Sequence, residues 1–103
     1  MKNLTSITII TLNLLCFPVQ SESIFDLGKK IFVEKGNCIS CHTLADANSI
    51  GQIGPNLNQI KPDKKVVLSA VSNGIGVMPS YYGILSSKEM EAVSHYVSVS
   101  AVQ

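Results

Sequence analysis

At 103 residues the chain is sized for one domain, and its charges nearly cancel: eight basic against seven acidic side chains, for a formal net charge of +1. All eight basic residues are lysine, and without arginine or a basic stretch the sequence lacks the electrostatic footprint of a nucleic-acid binder. Three cysteines, no tryptophan and no low-complexity segment leave a small globular protein whose chemistry must sit in short motifs.

The first 21 residues read as a secretory signal peptide. Lys2 precedes an apolar run from Ile7 to Phe17, and Pro18-Val19-Gln20-Ser21 closes it, so cleavage is expected before Glu22, with Ser23 an alternative end point. A run of 11 residues falls well short of the roughly 20 that span a bilayer, which disfavours a retained membrane anchor. Cys16 would be the lipid-bearing residue of a lipoprotein site, but Leu15 stands where such sites need a small side chain. The expected mature domain is 22–103, exported to the periplasm, with only Cys38 and Cys41 left to account for.

The mature region opens with an amphipathic pattern from Ser23 to about Lys35. Ile24, Leu27, Ile31 and Phe32 recur at helical spacing while Lys29, Lys30 and Glu34 point away. Ser23 with Asp26 forms a capping arrangement, and Gly36-Asn37 is expected to end the helix, the glycine relieving the left-handed cap. Gly28 costs about 1 kcal/mol relative to alanine in a helix interior, so its presence implies the close approach of a second helix, unless it is a tolerated surface glycine.

Directly after this helix stands Cys38-Ile39-Ser40-Cys41-His42. Two thiols three residues apart followed by an imidazole are the attachment site of a c-type haem: the thiols bond the two vinyl-bearing edges of one porphyrin, and His42 sits under the iron as proximal ligand. A redox dithiol would need a preceding strand in a βαβ pattern, and a zinc site a second ligand pair at short spacing; neither is present. A covalent haem also suits the size of the domain. Removing 21 of 103 residues leaves 82, a length that buries only about 60 to 65 per cent of its surface, so folding is expected to depend on the haem as an apolar centre.

After a short helical turn through the motif, residues 43–57 read as loop. Gly54-Pro55 within it is a candidate source of the carbonyl that a ligating histidine needs for its second ring nitrogen. Pro62-Asp63 opens a further helix with Val66, Val67, Ala70 and Val71 as its apolar stripe, closed by Asn73-Gly74. The loop 74–83 has Met78-Pro79 at its centre. Ser86 and Glu89 form a capping box for a last helix with Met90, Val93, Tyr96 and Val97 on one face; Val97-Ser98-Val99-Ser100 alternates like a strand but is read as helical because it follows so strong a cap. Met78, Met90 and His95 are the candidates for the second axial ligand. Met90 lies on the apolar stripe and His95 on the polar side of the last helix, whereas Met78 sits in a glycine-rich loop with proline behind it, so Met78 is the expected ligand. His42 and Met78 together would leave no open coordination position, which favours electron exchange over oxygen or substrate chemistry. No arginine, a single further histidine and no paired carboxylates leave little for an independent enzyme.

Gly28, Phe32, the Cys38–His42 motif, Gly54-Pro55-Asn56-Leu57, Met78-Pro79 and Tyr96, in that order, make the mature chain resemble a small bacterial class I cytochrome c almost from end to end. The resemblance implies an all-α fold of three main helices and loops around one covalent haem, with the first and last helices crossing where Gly28 and Phe32 meet Tyr96. It implies thioethers from Cys38 and Cys41, His42 proximal, Met78 distal and the Pro55 carbonyl orienting His42. The lack of tryptophan departs from many relatives and leaves the propionate contacts unassigned. The expected function is that of a periplasmic carrier passing single electrons between redox protein partners. Similar cytochromes with the same Gly-Asn-Cys approach to the motif serve as haem subunits of sulfur-compound oxidising enzymes, which is the alternative. Lys61, Lys64 and Lys65 would dock a transient partner, or simply solvate a helix, while Ile75, Val77, Tyr81 and Tyr82 around Met78 would serve a stable one, or simply cover the haem.

Overall fold

The computed structural model describes residues 2–16 and 22–103. Residues 2–16 form no helix or strand, and their apolar side chains, Leu4 to Leu15, are exposed. The expected cleavage point between Ser21 and Glu22, with Val19 before it, lies at the edge of the residues outside that description. Among the described residues no helix is long and apolar enough to cross a membrane.

Helix α1 runs Ile24–Val33, capped by the Ser23 hydroxyl, which accepts from the Asp26 amide at 3.1 Å. Its core-facing side chains are Ile31 and Phe32, with Leu27 half-buried; Ile24, expected on the same face, is the first residue of the helix and is 47% exposed. The helix also ends differently from expectation. Asn37, not Gly36, takes the left-handed conformation (φ 47°). Gly36 is required for space: a Cβ there would lie 2.8 Å from the Ile31 carbonyl oxygen and 3.1 Å from Cys38 Sγ.

A 3-10 turn follows at Cys38–Ser40, then a two-residue antiparallel pair, β1 (Thr43–Leu44) and β2 (Ser49–Ile50), closed over a second 3-10 turn at Ala45–Ala47. Neither this pair, within the stretch 43–57 read as loop, nor the four-residue helix α2 (Leu57–Ile60), which begins at the last residue of that stretch, was expected. Both are too short to show a period, and Asn56 provides for α2 by capping the amides of Asn58 and Gln59. Helix α3 (Lys64–Asn73) begins at Asp63, whose side chain accepts from Val66 N, and ends at Gly74 (φ 73°). Helix α4 (Ser87–Ser100) carries the complete Ser86/Glu89 capping box and stays helical through the alternating stretch.

The core sits where α4 lies across α1 and beside α3. Gly28 is the point of closest approach: a Cβ there would be 2.1 Å from the Ala92 carbonyl oxygen and 2.5 Å from Tyr96 Cβ. Tyr96, fully buried, meets Phe32 edge-on at 5.7 Å and Phe25 at 5.0 Å, and its hydroxyl donates to Asp46 Oδ2 at 2.7 Å. Lys29 Nζ pairs with the same carboxylate oxygen at 3.2 Å, so one acidic residue beyond the cysteine motif ties both crossing helices to the hairpin turn.

Candidate functional site

One cavity of about 630 Å³ opens between the Cys38–His42 turn, α2, α3 and the loop 74–83, and it is lined mainly by apolar side chains. Its size falls within the range of sites for cofactors and small molecules. Cys38, Cys41, His42, Pro55 and Met78 all line it. The stripe of Val66, Val67, Ala70 and Val71 lines it too, so that face of α3 is a cavity wall; this explains why Val66 is exposed although it belongs to the stripe. Met90 and His95 do not line it. Met90 is buried and takes a long contact from the Ser72 hydroxyl at 3.8 Å, while His95 lies half-buried on α4.

The His42 ring is held from two sides. A carbonyl can only accept, so the 2.7 Å contact with the Pro55 oxygen requires Nδ1–H to donate, which leaves Nε2 as the basic nitrogen free to ligate. Gly54 lies flat against the ring: a Cβ there would be 2.6 Å from Cε1 and 2.9 Å from Nδ1. The backbone of the motif is clasped by a segment the sequence reading left as plain loop. Ser49, buried, donates its hydroxyl to the carbonyls of Ile39 and His42; Gly54 N donates to Cys41 O at 2.7 Å; and Gly51 sits against the Cys41–His42 peptide, where a Cβ would be 2.6 Å from the Cys41 carbonyl carbon. No spacing in the sequence marks Ser49 or Gly51 for this role.

Burial pushes the Cys38 thiol up to about 11, opposite to the lowering that makes a redox-active dithiol reactive. Among the described residues no parallel strand precedes the motif, and no group of three or more His, Cys, Asp or Glu side chains is placed to hold a metal ion. The dithiol and zinc alternatives therefore lack their structural context. A covalent haem fits what is present: two thiols, an imidazole of defined tautomer, a thioether and an apolar wall share one cavity.

Met78 stands on a loop folded into two tight turns. Ile75 and Met78 exchange two backbone hydrogen bonds of 3.0 Å around Gly76-Val77, and Gly76 has the positive φ (56°) that the first central residue of such a hairpin needs. Gly74 is required where the loop folds back, since a Cβ would be 2.8 Å from the Met78 oxygen. Around the cavity Ile53, Ile75 and Val77 are exposed, at 72%, 69% and 88%. Of Lys61, Lys64 and Lys65, Lys64 is engaged by Glu91 at 2.8 Å.

Residues 25–97 match the family model described as cytochrome c oxidase, cbb3-type, subunit III. The chain is similar to cytochrome c6 of Microcystis aeruginosa (31% identical over 78 residues, 72% of this chain and 94% of the relative) and of Cladophora glomerata (35% over 92 residues, 82% and 96%). Among solved structures it is similar to the c-type cytochrome SorU from Sinorhizobium meliloti, 50% identical, with a TM-score of 0.73 over 76% of this chain and 91% of that one.

Proposed function

The chain belongs to the cytochrome c family as a small monohaem class I cytochrome with covalently bound haem c, an electron-transfer protein, and from that membership we propose that it works as a His42/Met78-ligated one-electron carrier of the periplasm, residues 1–21 being removed on export. Bound through Cys38 and Cys41, the haem supplies the Fe(III)/Fe(II) couple, with methionine ligation raising its potential. The residues of the chain do the rest. Pro55 holds His42 in the tautomer that would ligate, Gly54 packs against the plane of the ring, and the apolar wall of α3 would lie against the macrocycle. The observation that carries this reading is that His42 and Met78 line the same apolar cavity while Met90 and His95 do not. With His42 and Met78 both holding the iron there would be no place for a substrate on it, which favours passing electrons over transforming a substrate. Its partners are redox proteins, and the exposed apolar rim around Val77 is the face that a lasting complex would cover.

Two measurements test this. The ferric holoprotein should show the near-red sulfur-to-iron charge-transfer band of His/Met ligation, and its absence would remove Met78 from the scheme. Size-exclusion chromatography of native periplasm, followed by haem staining on denaturing gels, should place the protein at its own small size. Co-elution with a larger protein that persists in high salt would replace the diffusing carrier with a haem subunit of a periplasmic oxidoreductase.

A further inference from the structure

The loop that carries Met78 is fastened almost entirely to its own neighbourhood. Tyr81 N donates to Val71 O at 2.8 Å, the Ser80 hydroxyl to Ser72 O at 2.6 Å and Tyr82 N to the Ser80 hydroxyl at 3.2 Å. The remaining bonds lie within the loop, in the α4 cap, or at the end of α3, where Gly74 N donates to Ala70 O at 2.8 Å. Among the described residues a single hydrogen bond crosses from loop 74–85 to the other side of the cavity: the Tyr81 hydroxyl donates to Gly36 O at 2.7 Å, 45 residues away. Gly36 is buried, lines the cavity with Tyr81, and stands two residues before Cys38. Its neighbour Lys35 reaches the same side of the molecule by pairing with Glu89 at 2.9 Å and 3.0 Å, and Glu89 in turn accepts from Ser86 N at the end of the Met78 loop. Lys35-Gly36 thus bridges the approach to the haem motif with both the loop and the cap that follows it.

We propose that Tyr81 is a positioning residue, a strut whose hydroxyl closes the haem crevice by tying the Met78 loop to the backbone that leads into Cys38. The inference rests on the assignment of Met78 as axial ligand. A thioether is a neutral, weak ligand, so its residence on iron is governed by how often its loop opens, and a loop held only by local bonds opens more often than one anchored across the cavity. Lys35–Glu89 is exposed and contributes little to holding the crevice, which leaves the half-buried Tyr81–Gly36 bond as the main polar tie. Tyr82, next in sequence, is 81% exposed and provides an internal control.

The test uses ferric holoprotein and imidazole as the incoming ligand. Tyr81→Phe keeps the ring and removes the hydroxyl; it should retain the sulfur-to-iron band without imidazole, yet bind imidazole roughly threefold to tenfold faster and more tightly than wild type, the population change that one net hydrogen bond corresponds to. Tyr82→Phe should match wild type. Imidazole binding by Tyr81→Phe at the wild-type rate and affinity, with the band intact in both, overturns the strut while leaving Met78 as ligand. A wild-type protein without the band overturns the Met78 assignment and the strut together. Equal acceleration in Tyr82→Phe also overturns it, by showing a general loosening.

Discussion

Met78 and Gly54 make the two sharpest demands on single side chains. Changing Met78 to alanine removes the thioether and should open the iron to imidazole or cyanide and lower the reduction potential; ligand titration and potentiometry check this, and unchanged values for both would exclude Met78 as a ligand. Gly54→Ala places a methyl group 2.6 Å from His42 Cε1, so the ring or the loop must move. A loss of about 1–3 kcal/mol is expected, read as a lower thermal midpoint of the holoprotein. His42, the two cysteines and Met78 were legible as residue types in a distinctive order, and Gly54-Pro55 as a rigid carbonyl source. Ser49, Gly51 and Tyr81 were not, because each acts on a backbone carbonyl or peptide of a different segment, and no spacing rule reports which carbonyl a closed loop will meet.

Helix ends and helix faces differed in how readable they were. The caps at Ser23, Asp63 and Ser86 are local hydrogen bonds between residues three apart, so the sequence pattern and the structure agree. Ser86→Ala should cost about 1 kcal/mol, measured by chemical denaturation of the holoprotein. The α1–α4 crossing depends on Gly28, where a methyl group would lie 2.1 Å from a backbone oxygen that cannot rotate away. Gly28→Ala should therefore be the costlier change, about 3 kcal/mol despite alanine's better helix propensity, and a gain in stability would show that the helices separate freely. Faces were less certain. Val66 and Ile24 both satisfy the apolar period, but the period does not say whether the far side is a helix, a cavity or water.

Across the whole molecule, Asp46 gathers α1, α4 and the hairpin turn. Its carboxyl is held below the ordinary range chiefly by the Tyr96 hydroxyl and further by Lys29, while burial and the same bond hold Tyr96 protonated. A lowered folded-state value means the stabilisation is present above the unfolded value of about 3.9 and is lost as pH falls through the folded one. Asp46→Asn should lower the thermal midpoint near pH 7, and the gap should close as pH falls through the lowered folded-state value, where the wild-type carboxyl also becomes neutral; a gap constant with pH would assign the effect to shape alone. Replacing both Cys38 and Cys41 by alanine should abolish cooperative unfolding of residues 22–103, checked by circular dichroism, because the cavity of about 630 Å³ opens into the core that the described residues form in so short a stretch. The chain order alone specified the haem chemistry, the all-α class and three of the helices, since covalent attachment, helical periodicity and capping all act over a few residues. The antiparallel pair, the clasp of residues 49–54 around the motif, the Tyr81 strut and the Asp46 junction were decided only in three dimensions. Each joins segments whose proximity results from packing α4 across α1 and closing the loops over one cavity, and contacts of that kind carry no local signature.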